Sequence, residues 1–169
     1  MLVAAKYLLS EMAAVEREAA LLLDLIQSAF IVQLAGLYQS ALHSVLLTEF
    51  LAGGDLVTRY LHSITIHLHN NHSDSCAFLF CRTACPGFCL TERKCQVYIR
   101  QVVRGLAYIH SQGILHLDIK PFNIMFANKE DDYNLRIIDF GLAERLPAGQ
   151  IDMPIRMCGT LEYMSPEVK

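Results

Sequence analysis

The sequence predicts a mixed α+β fold, because segments with strand and helix patterns follow one another along the chain. An apolar run from Ser44 to Leu51 leads to Gly53 and Gly54, which is typical of a buried strand that ends in a linker. A long helix is predicted from Thr91 to Gly113, and a short strand from Leu135 to Ile138. The 169 residues are enough for one globular domain of ordinary size.

The first helix is predicted around residues 15–22. Apolar residues recur there at helical spacing on both sides of two acidic residues, Glu16 and Glu18. Taken alone, Glu18 is best interpreted as a solvated charge on the helix surface.

The second predicted helix has clear signals at both ends. Thr91 can cap its start, Glu92 stands in its first turn, and Gly113 stops it. Apolar residues mostly three or four positions apart predict its buried face: Val97, Ile99, Val102, Val103, Leu106 and Ile109.

The last predicted strand carries an acidic residue at its end. A polar turn, residues 128–134, precedes the strand Leu135–Ile138, and Asp139 follows it directly. A carboxylate at the end of a short strand is held firmly in place.

Two motifs place polar residues suited to phosphate chemistry in one order. The run from His116 to Asn123 contains Asp118 and Lys120, and Asp139-Phe140-Gly141 follows it. Magnesium prefers oxygen ligands, which Asn123 and Asp139 can supply. Asp118 can orient a hydroxyl group and Lys120 can neutralise a phosphoryl group, which are the main requirements of phosphoryl transfer.

These motifs resemble the catalytic loop and the metal-binding loop of the eukaryotic protein kinases. The resemblance implies a partial bilobal kinase fold over residues 1–169, in which 1–49 are a small-lobe remnant and 50–55 the hinge. Residues 56–169 would then run from the start of the large lobe through the activation segment. It also implies a serine/threonine kinase that uses ATP and Mg²⁺ to phosphorylate a protein substrate, with Asp118, Lys120 and Asn123 as catalytic residues.

The resemblance assigns nucleotide-binding roles in the small lobe. Lys6 would contact the α and β phosphates and pair with Glu18, with Glu16 as the nearby alternative. His116 would be a structural core residue packed against Phe140 and the region of Leu22.

Further ATP-binding roles fall on the hinge and its surroundings. Thr48 would be the gatekeeper, the backbones of Glu49 and Leu51 would meet the adenine, and Asp55 would reach the ribose. Ala4 and Met125 would sandwich the adenine ring, a role that rests on the resemblance alone.

The activation segment, residues 141–165, resembles that of kinases selective for serine or threonine. Thr160 would lie near Asp118 and Lys120 and help to place the substrate hydroxyl. Ser165-Pro166-Glu167 stands where the family has its closing A-P-E motif. Leu161 replaces the commoner proline, which leaves the peptide preference open.

Leu117 stands where most kinases have an arginine, the partner of a phosphorylated activation loop. Its presence leads to the hypothesis that phosphorylation between Gly141 and Ser165 does not switch the kinase. The His-Leu-Asp form resembles the calmodulin-regulated group, and most of all the myosin light chain kinase, titin, twitchin and obscurin type of muscle kinases. Calmodulin and cytoskeletal or sarcomeric proteins are the partners implied, through flanking regions.

Read against the family, both ends of the domain are expected to be missing. The sequence has no G-x-G-x-x-G loop, and it ends just after Pro166-Glu167. A fragment of this kind could also be a catalytically weak pseudokinase or a scaffold module of a giant muscle protein.

Residues 62–90 are expected to be an atypical insertion rich in cysteine and histidine. Thiolates and imidazoles are the usual ligands of zinc, so a metal-binding interaction protein is a further alternative. Cys81, Cys85 and Cys89 are spaced without a C-x-x-C pair, which argues against that site. The interval holds His62, His67, His69, His72, Cys76, Cys81, Cys85 and Cys89.

The global composition is compatible with a cytoplasmic enzyme, and the resemblance to the muscle kinases implies a cytoskeletal or sarcomeric setting. The net charge is −3 and the isoelectric point about 6.1, so no electrostatic signal for nucleic acid or an anionic membrane is present. The start of the chain lacks the pattern of a signal peptide.

Overall fold

A computed structural model describes residues 2–9, 12–40, 43–59, 90–147 and 158–165. Its first part is an antiparallel sheet with one helix packed against it. Strands β1 (Val3–Leu9), β2 (Leu34–Gln39) and β3 (His43–Glu49) pair in the order β1-β3-β2, and helix α1 (Met12–Asp24) connects β1 to β2. The alternation of strands and helices confirms the predicted α+β class.

The register of β1 on β3 decides which side chains share a face. Ala4 lies opposite Thr48, and Lys6 lies opposite Leu46. Because alternate residues of a strand point the same way and opposed residues point together, these four side chains lie on one side of the sheet.

Helix α1 presents an apolar stripe that also contains a carboxylate. Val15, Ala19 and Leu22 are buried, and Glu18 is buried among them with an exposed fraction of 4%. A carboxylate is rarely this buried without a partner. The position of Glu18 in the stripe therefore demands a cation nearby, and a solvated surface charge is excluded.

The second part of the described fold is a long helix with two short strand pairs and two 3₁₀ turns around it. Helix α2 spans Glu92–Ser111 and β4 spans Ile114–Leu115. Two further strands, β5 (Ile124–Phe126) and β6 (Leu135–Ile137), form an antiparallel pair, and β4 pairs with β7 (Glu144–Arg145). Single 3₁₀ turns lie at Pro121–Asn123 and at Leu161–Tyr163.

Helix α2 begins and ends where the sequence predicts. The Thr91 hydroxyl accepts a hydrogen bond from the Lys94 N–H at 3.3 Å, and Gly113 follows the helix with a φ of 65°. Both are common devices at helix ends.

The buried face of α2 was predicted only in part. Ile109 is fully buried, and Val97, Val102 and Leu106 pack against the core. Ile99 and Val103 lie outside the core of the described residues, with exposed fractions of 63% and 56%. The true inner stripe runs through Tyr98, Val102, Gly105 and Ile109, which are four, three and four positions apart, as one helix face requires.

The two parts share one core and are joined by backbone hydrogen bonds. The Val32 N–H donates to the Ile137 carbonyl at 3.0 Å, and the Ile137 N–H donates to the Phe30 carbonyl at 2.8 Å. On the other side, the Gly53 N–H donates to the Phe126 carbonyl at 3.1 Å. A Cβ at Gly53 would lie 2.4 Å from the Phe126 Cβ, so glycine is needed for this close approach.

Two salt bridges to Asp132, which we call the clamp, connect Arg59 and Lys94 to the turn that precedes β6. Arg59 and Lys94 reach the two carboxylate oxygens of Asp132 at 2.6 and 2.8 Å. The Arg59 guanidinium also stacks over the Phe126 ring, 4.3 Å from its centre. The hydrogen bond from Lys94 lowers the pKa of Asp132, so the carboxylate stays ionised at neutral pH.

Some predictions concern residues that lie outside the described ones. These are the Cys/His-rich interval up to residue 89, most of the middle of the activation segment, and Pro166-Glu167. Among the described residues, none of the helices has the length and hydropathy that a membrane crossing requires.

Candidate active site

Lys6 joins three elements of the fold. The Lys6 Nζ lies 2.9 Å from Glu18 Oε2 on α1 and 2.9 Å from Asp139 Oδ1. Asp139 is the second residue after the end of β6. The alternative partner, Glu16, is instead exposed and accepts a hydrogen bond from Gln39 at 2.7 Å. Lys6 therefore has the contacts that its predicted role requires.

The charges around Lys6 reinforce one another. Burial alone would lower the pKa of Lys6, but hydrogen bonds from its ammonium to Asp139 and Glu18 outweigh burial and raise the pKa. Burial would raise the pKa of Asp139, but the hydrogen bond and charge of Lys6 outweigh it and lower the pKa. Both groups are charged at neutral pH, so the site presents a fixed cation beside a fixed carboxylate.

The segment after β3 has backbone groups available to a ligand. The Glu49 N–H donates to the Gln33 carbonyl at 2.9 Å, which fixes the start of this segment. Within the described residues, neither the N–H nor the carbonyl of Leu51 makes a hydrogen bond, although its side chain is buried. These groups could pair with the edge of a heterocyclic base.

Residues predicted to enclose the adenine lie around that segment. Ala4 is paired with Thr48 across β1 and β3, and Met125 forms an isolated antiparallel bridge with Asp55. The backbone pairing thus brings β5 beneath the segment that follows β3. Ala4 shares its sheet face with Lys6, as a ring lying next to the phosphates would require.

Asp55 has a structural task in the described residues. Its carboxylate accepts hydrogen bonds from the Val57 and Thr58 N–H groups at 2.9 and 2.8 Å, and from the Thr58 hydroxyl. These bonds outweigh the effect of burial and lower the pKa of Asp55. To reach a ribose hydroxyl, Asp55 would have to share or give up one of these contacts.

Asp118 is the centre of the second cluster. The Thr160 N–H and hydroxyl donate to Asp118 Oδ1 at 3.0 and 2.7 Å, while Lys120 Nζ and Asn123 Nδ2 donate to Oδ2 at 2.7 and 3.1 Å. Lys120 also donates to the Thr160 hydroxyl at 2.7 Å. The predicted catalytic residues and Thr160 therefore meet at one carboxylate.

The contacts of Asp118 keep it ionised. Burial would raise the pKa of Asp118, but hydrogen bonds from Lys120 and Thr160, with the charge of Lys120, outweigh burial and lower it. A carboxylate that is anionic at neutral pH can accept a hydrogen bond from an alcohol and align its oxygen. The Thr160 hydroxyl already occupies such a position.

A backbone link connects the two clusters. The Ile138 N–H donates to the Asn123 carbonyl at 3.0 Å, and the Ile138 carbonyl lies 3.0 Å from His116 Nε2. His116 Nδ1 in turn accepts from the Asp118 N–H at 3.3 Å. One residue, Ile138, thus fixes the spacing between Asp118 and Asp139. Ile138 cannot be singled out from the sequence, since its contribution comes from its backbone groups.

His116 is a framework residue and not a base. It is buried with an exposed fraction of 2%, and its ring meets Phe140 edge-on at 4.8 Å. Burial lowers the pKa of His116 and keeps the ring neutral. Because Nδ1 accepts from Asp118 N–H, the proton belongs on Nε2, which donates to Ile138.

The oxygen donors fit a magnesium ion. Lys6 and the Gly141 N–H both bind Asp139 Oδ1, and within the described residues no group donates to Asp139 Oδ2. Asn123 uses its Nδ2 on Asp118, and its Oδ1 likewise has no donor in that part of the chain. A carboxylate oxygen and an amide oxygen are therefore available, and a hard divalent cation prefers oxygen ligands.

Left-handed backbone conformations occur next to both carboxylate clusters. Leu117 has a φ of 64° and Asp139 a φ of 62°. Such a conformation costs a non-glycine residue about 1–2 kcal/mol, so the surrounding contacts must hold it. Gly159 packs against this loop, since a Cβ there would lie 2.5 Å from the Leu117 carbonyl oxygen. In the sequence, the glycine directly before Thr160 was the signal for a special backbone conformation at this point.

A sheet with a Lys–Glu pair, joined to a helical part with these two carboxylate loops, defines the protein kinase class. The sequence model of the protein kinase domain matches residues 2–168, and the chain belongs to that family.

Curated relatives are similar to parts of the chain. Smooth-muscle myosin light chain kinase from Gallus gallus is 50% identical over 91 residues, which are 53% of this chain and 5% of that protein. Striated muscle preferentially expressed protein kinase from Danio rerio is 46% identical over 81 residues, 48% of this chain and 3% of that protein. Death-associated protein kinase dapk-1 from Caenorhabditis elegans is 29% identical over 154 residues, 91% of this chain and 9% of that protein.

The matches thus cover a small share of these relatives, which are much longer than this chain. They confirm the resemblance to protein kinases and to the group that includes the myosin light chain kinases.

Proposed function

We propose that this domain transfers the γ-phosphate of ATP to serine or threonine hydroxyls of a protein substrate. The observation that carries the proposal is the meeting of Asp118, Lys120 and the Thr160 hydroxyl within hydrogen-bond distance. An acceptor alcohol that replaced the Thr160 hydroxyl at Asp118 would have its oxygen aligned and its charge partner, Lys120, already in place.

The nucleotide would be held by the first cluster. Lys6, fixed by Glu18, would contact the phosphates, and Asn123 and Asp139 would provide oxygen ligands for Mg²⁺. The backbones of Glu49 and Leu51 would bind the adenine, with Thr48, Ala4 and Met125 around the ring and Asp55 near the ribose. Magnesium, when bound, would neutralise phosphate charge. The roles of Asp139 and Asn123 are supported by oxygens that accept no hydrogen bond within the described residues, whereas Asp55 would have to share or give up a contact with Val57 or Thr58.

Asp118 would act on the acceptor. It would accept a hydrogen bond from the substrate hydroxyl and orient its oxygen toward the phosphorus atom. Lys120 would neutralise charge on the moving phosphoryl group. As the new O–P bond forms and the bond to ADP breaks, the hydroxyl proton would pass to Asp118 or to the product phosphate.

The experiment is magnesium-dependent transfer from ATP to serine peptides, with threonine and tyrosine versions of the same peptides alongside. We expect transfer to serine and threonine, and a loss of about 10²–10⁴-fold in kcat for Asp118→Asn. If wild-type protein and Asp118→Asn transfer phosphate equally, the proposal fails and a docking role takes its place.

We extend the proposal to the protein's setting on similarity alone. Two relatives bear the names of smooth-muscle and striated-muscle kinases. A cytoplasmic protein of the cytoskeleton or sarcomere, with calmodulin as a regulator, is the corresponding proposal. Calcium-dependent retention of the protein on immobilised calmodulin tests the regulator; equal retention with and without calcium speaks against it.

A further inference from the structure

A carboxylate stands at the unfavourable end of helix α1. Asp24 is the last residue of this helix, and the last turn contains no basic residue. The carbonyl groups at the C-terminal end of a helix carry partial negative charge, so they repel an acidic side chain there. Asp24 therefore destabilises its own helix unless a cation from another element of the fold binds it.

Arg145 of β7 supplies that cation. Its Nη2 donates to Asp24 Oδ2, and its Nη1 donates to the Gln112 carbonyl at 3.3 Å. Gln112 caps the C-terminal end of α2, so the guanidinium lies where the negative ends of two helices come close to each other. The Arg145 side chain thus connects three elements: α1, α2 and β7.

Backbone hydrogen bonds hold β7 in this place. In the antiparallel pair of β4 and β7, Arg145 lies opposite Ile114. The Leu146 N–H donates to the Gly113 carbonyl at 2.7 Å, directly after the end of α2. Because β7 is anchored beside α2, the Arg145 side chain reaches α1 from a fixed position.

Helix α1 is also attached to the same stretch of chain through Lys6. Glu18 binds the Lys6 ammonium, which in turn binds Asp139. Asp24 follows Glu18 by six residues, which is about 9 Å along the helix at 1.5 Å per residue. A helix held by one polar contact can turn about it, whereas two contacts about 9 Å apart fix its direction.

The contact between Asp24 and Arg145 lies outside the core. Their side chains are 49% and 48% exposed, while the buried residues of α1, such as Leu22 and Leu25, pack in the core. An exposed ion pair contributes little to the stability of a fold. The expected effect of this pair is therefore on the orientation of α1 and not on whether the helix forms.

We propose that Asp24 and Arg145 are positioning residues, whose ion pair holds α1 in the orientation in which Glu18 fixes Lys6 beside Asp139. The inference rests on the proposed phosphoryl transfer and adds two residues that act on it through Lys6. Neither side chain touches the nucleotide or the acceptor in this account.

The test is steady-state kinetics with varied ATP and with varied peptide for Asp24→Asn, Arg145→Gln and the double variant. We expect kcat/KM for ATP to fall about threefold in each single variant, within the range of one exposed ion pair, and KM for the peptide to stay unchanged. The double variant should lose no more than Arg145→Gln alone, because both substitutions break the same contact.

Two further variants distinguish positioning by charge from a local effect of substitution. Asp24→Glu keeps the carboxylate and should retain most of the wild-type kcat/KM for ATP. Arg17→Gln removes an exposed arginine from the same helix and should leave kcat/KM unchanged.

The outcomes separate the two proposals. If Asp24→Asn and Arg145→Gln leave kcat/KM for ATP unchanged, if their losses multiply in the double variant, or if Asp24→Glu loses as much as Asp24→Asn, the positioning role is overturned while phosphoryl transfer stands. If the wild-type protein transfers no phosphate in the presence of magnesium and ATP, both proposals are overturned. Should Arg145→Gln fail to fold, shown by its thermal unfolding curve, the comparison of Asp24→Asn with Asp24→Glu decides.

Discussion

The pair formed by Lys6 and Glu18 leads to a quantitative prediction for Glu18→Gln. Glutamine keeps the shape and one carbonyl oxygen, so the change removes the charge but leaves a possible hydrogen-bond acceptor. The carboxylate is buried, with an exposed side-chain fraction of 5%, whereas Lys6 is 41% exposed. In Glu18→Gln, Lys6 keeps its second partner, Asp139, whose Oδ1 lies 2.9 Å from the Lys6 Nζ.

The size of the effect follows from these contacts. A hydrogen bond to a charged group contributes about 1.5–3 kcal/mol, and a neutral one about 0.5–1.5 kcal/mol. The difference is about 1–1.5 kcal/mol, and the solvent exposure of Lys6 reduces it to about 1 kcal/mol. Since 1.36 kcal/mol corresponds to a factor of ten, kcat/KM for ATP should fall about fivefold.

Steady-state kinetics with varied ATP provide the assay, and Glu16→Gln provides the matched control. Glu16 lies on the same helix but is exposed and bound to Gln39, so its substitution should change kcat/KM by less than about twofold. Thermal unfolding of both variants shows whether the fold is retained. If Glu16→Gln reduces kcat/KM as much as Glu18→Gln, or if Glu18→Gln has no effect, the reasoning is refuted.

Three further predictions concern stability and regulation. Folding lowers the pKa values of Asp118 and Asp139. Their contribution to the free energy of unfolding is therefore full above about pH 4 and is lost as the pH falls through the pKa values of the folded state. Denaturant midpoints measured from pH 6 to 2.5 should decline, and Asp118→Asn should weaken this decline. Gly159→Ala should destabilise the protein by about 1–3 kcal/mol, because the φ of Gly159 is 107° and the new Cβ would meet the Leu117 carbonyl oxygen. Gly54→Ala should destabilise it less, since Gly54 has a φ of 74° but open space around the new Cβ. Identical denaturation curves for the two variants would contradict this reasoning. Phosphorylation between residues 141 and 165 should leave activity within about twofold, since Leu117 cannot pair with a phosphate; a large rise that alanine substitution of the phosphorylated residue abolishes would count against it.

Much of the fold was predictable where a local pattern had a local cause. Helix α2 was predicted from Thr91 to Gly113 and spans Glu92–Ser111, because a capping hydroxyl and a glycine act within a few residues. The predicted strands at residues 44–51 and 135–138 correspond to β3 and β6. Apolar runs and turn residues were sufficient signals for these elements.

Other elements depend on contacts between distant parts of the chain. Strands β4 and β7 have two residues each and exist through their mutual pairing, so periodicity has nothing to detect. On α2, Gly105 lies in the core because the β6 residue Ile137 approaches it: an added Cβ would be 2.7 Å from Ile137 Cδ1. Ile99 and Val103 are exposed although they belong to the predicted apolar face, because apolar residues alone do not show which stripe of a helix meets the core.

The candidate site shows the same division. Asp118, Lys120, Asn123 and Asp139 could be named from their motifs, because the chemistry of phosphate and magnesium requires those groups. Their arrangement depends on Ile138, whose backbone joins the two loops. It also depends on the left-handed backbone conformations of Leu117 and Asp139, which their residue types do not predict. Glu18 could be chosen over Glu16 only by the resemblance, whereas the structure separates them by burial.

The clamp on Asp132 has a consequence for how this fold can evolve. Arg59 and Lys94, the residues that flank the Cys/His-rich interval, bind the same carboxylate, so the two points where that interval departs and returns are fixed side by side. The entropy cost of closing a loop grows slowly with its length, by about 0.6 kcal/mol for each doubling. We therefore expect that sequence can be gained or lost between Arg59 and Lys94 while Lys6, Asp118 and Asp139 keep their geometry, in contrast to the loops that hold Asp118 and Asp139.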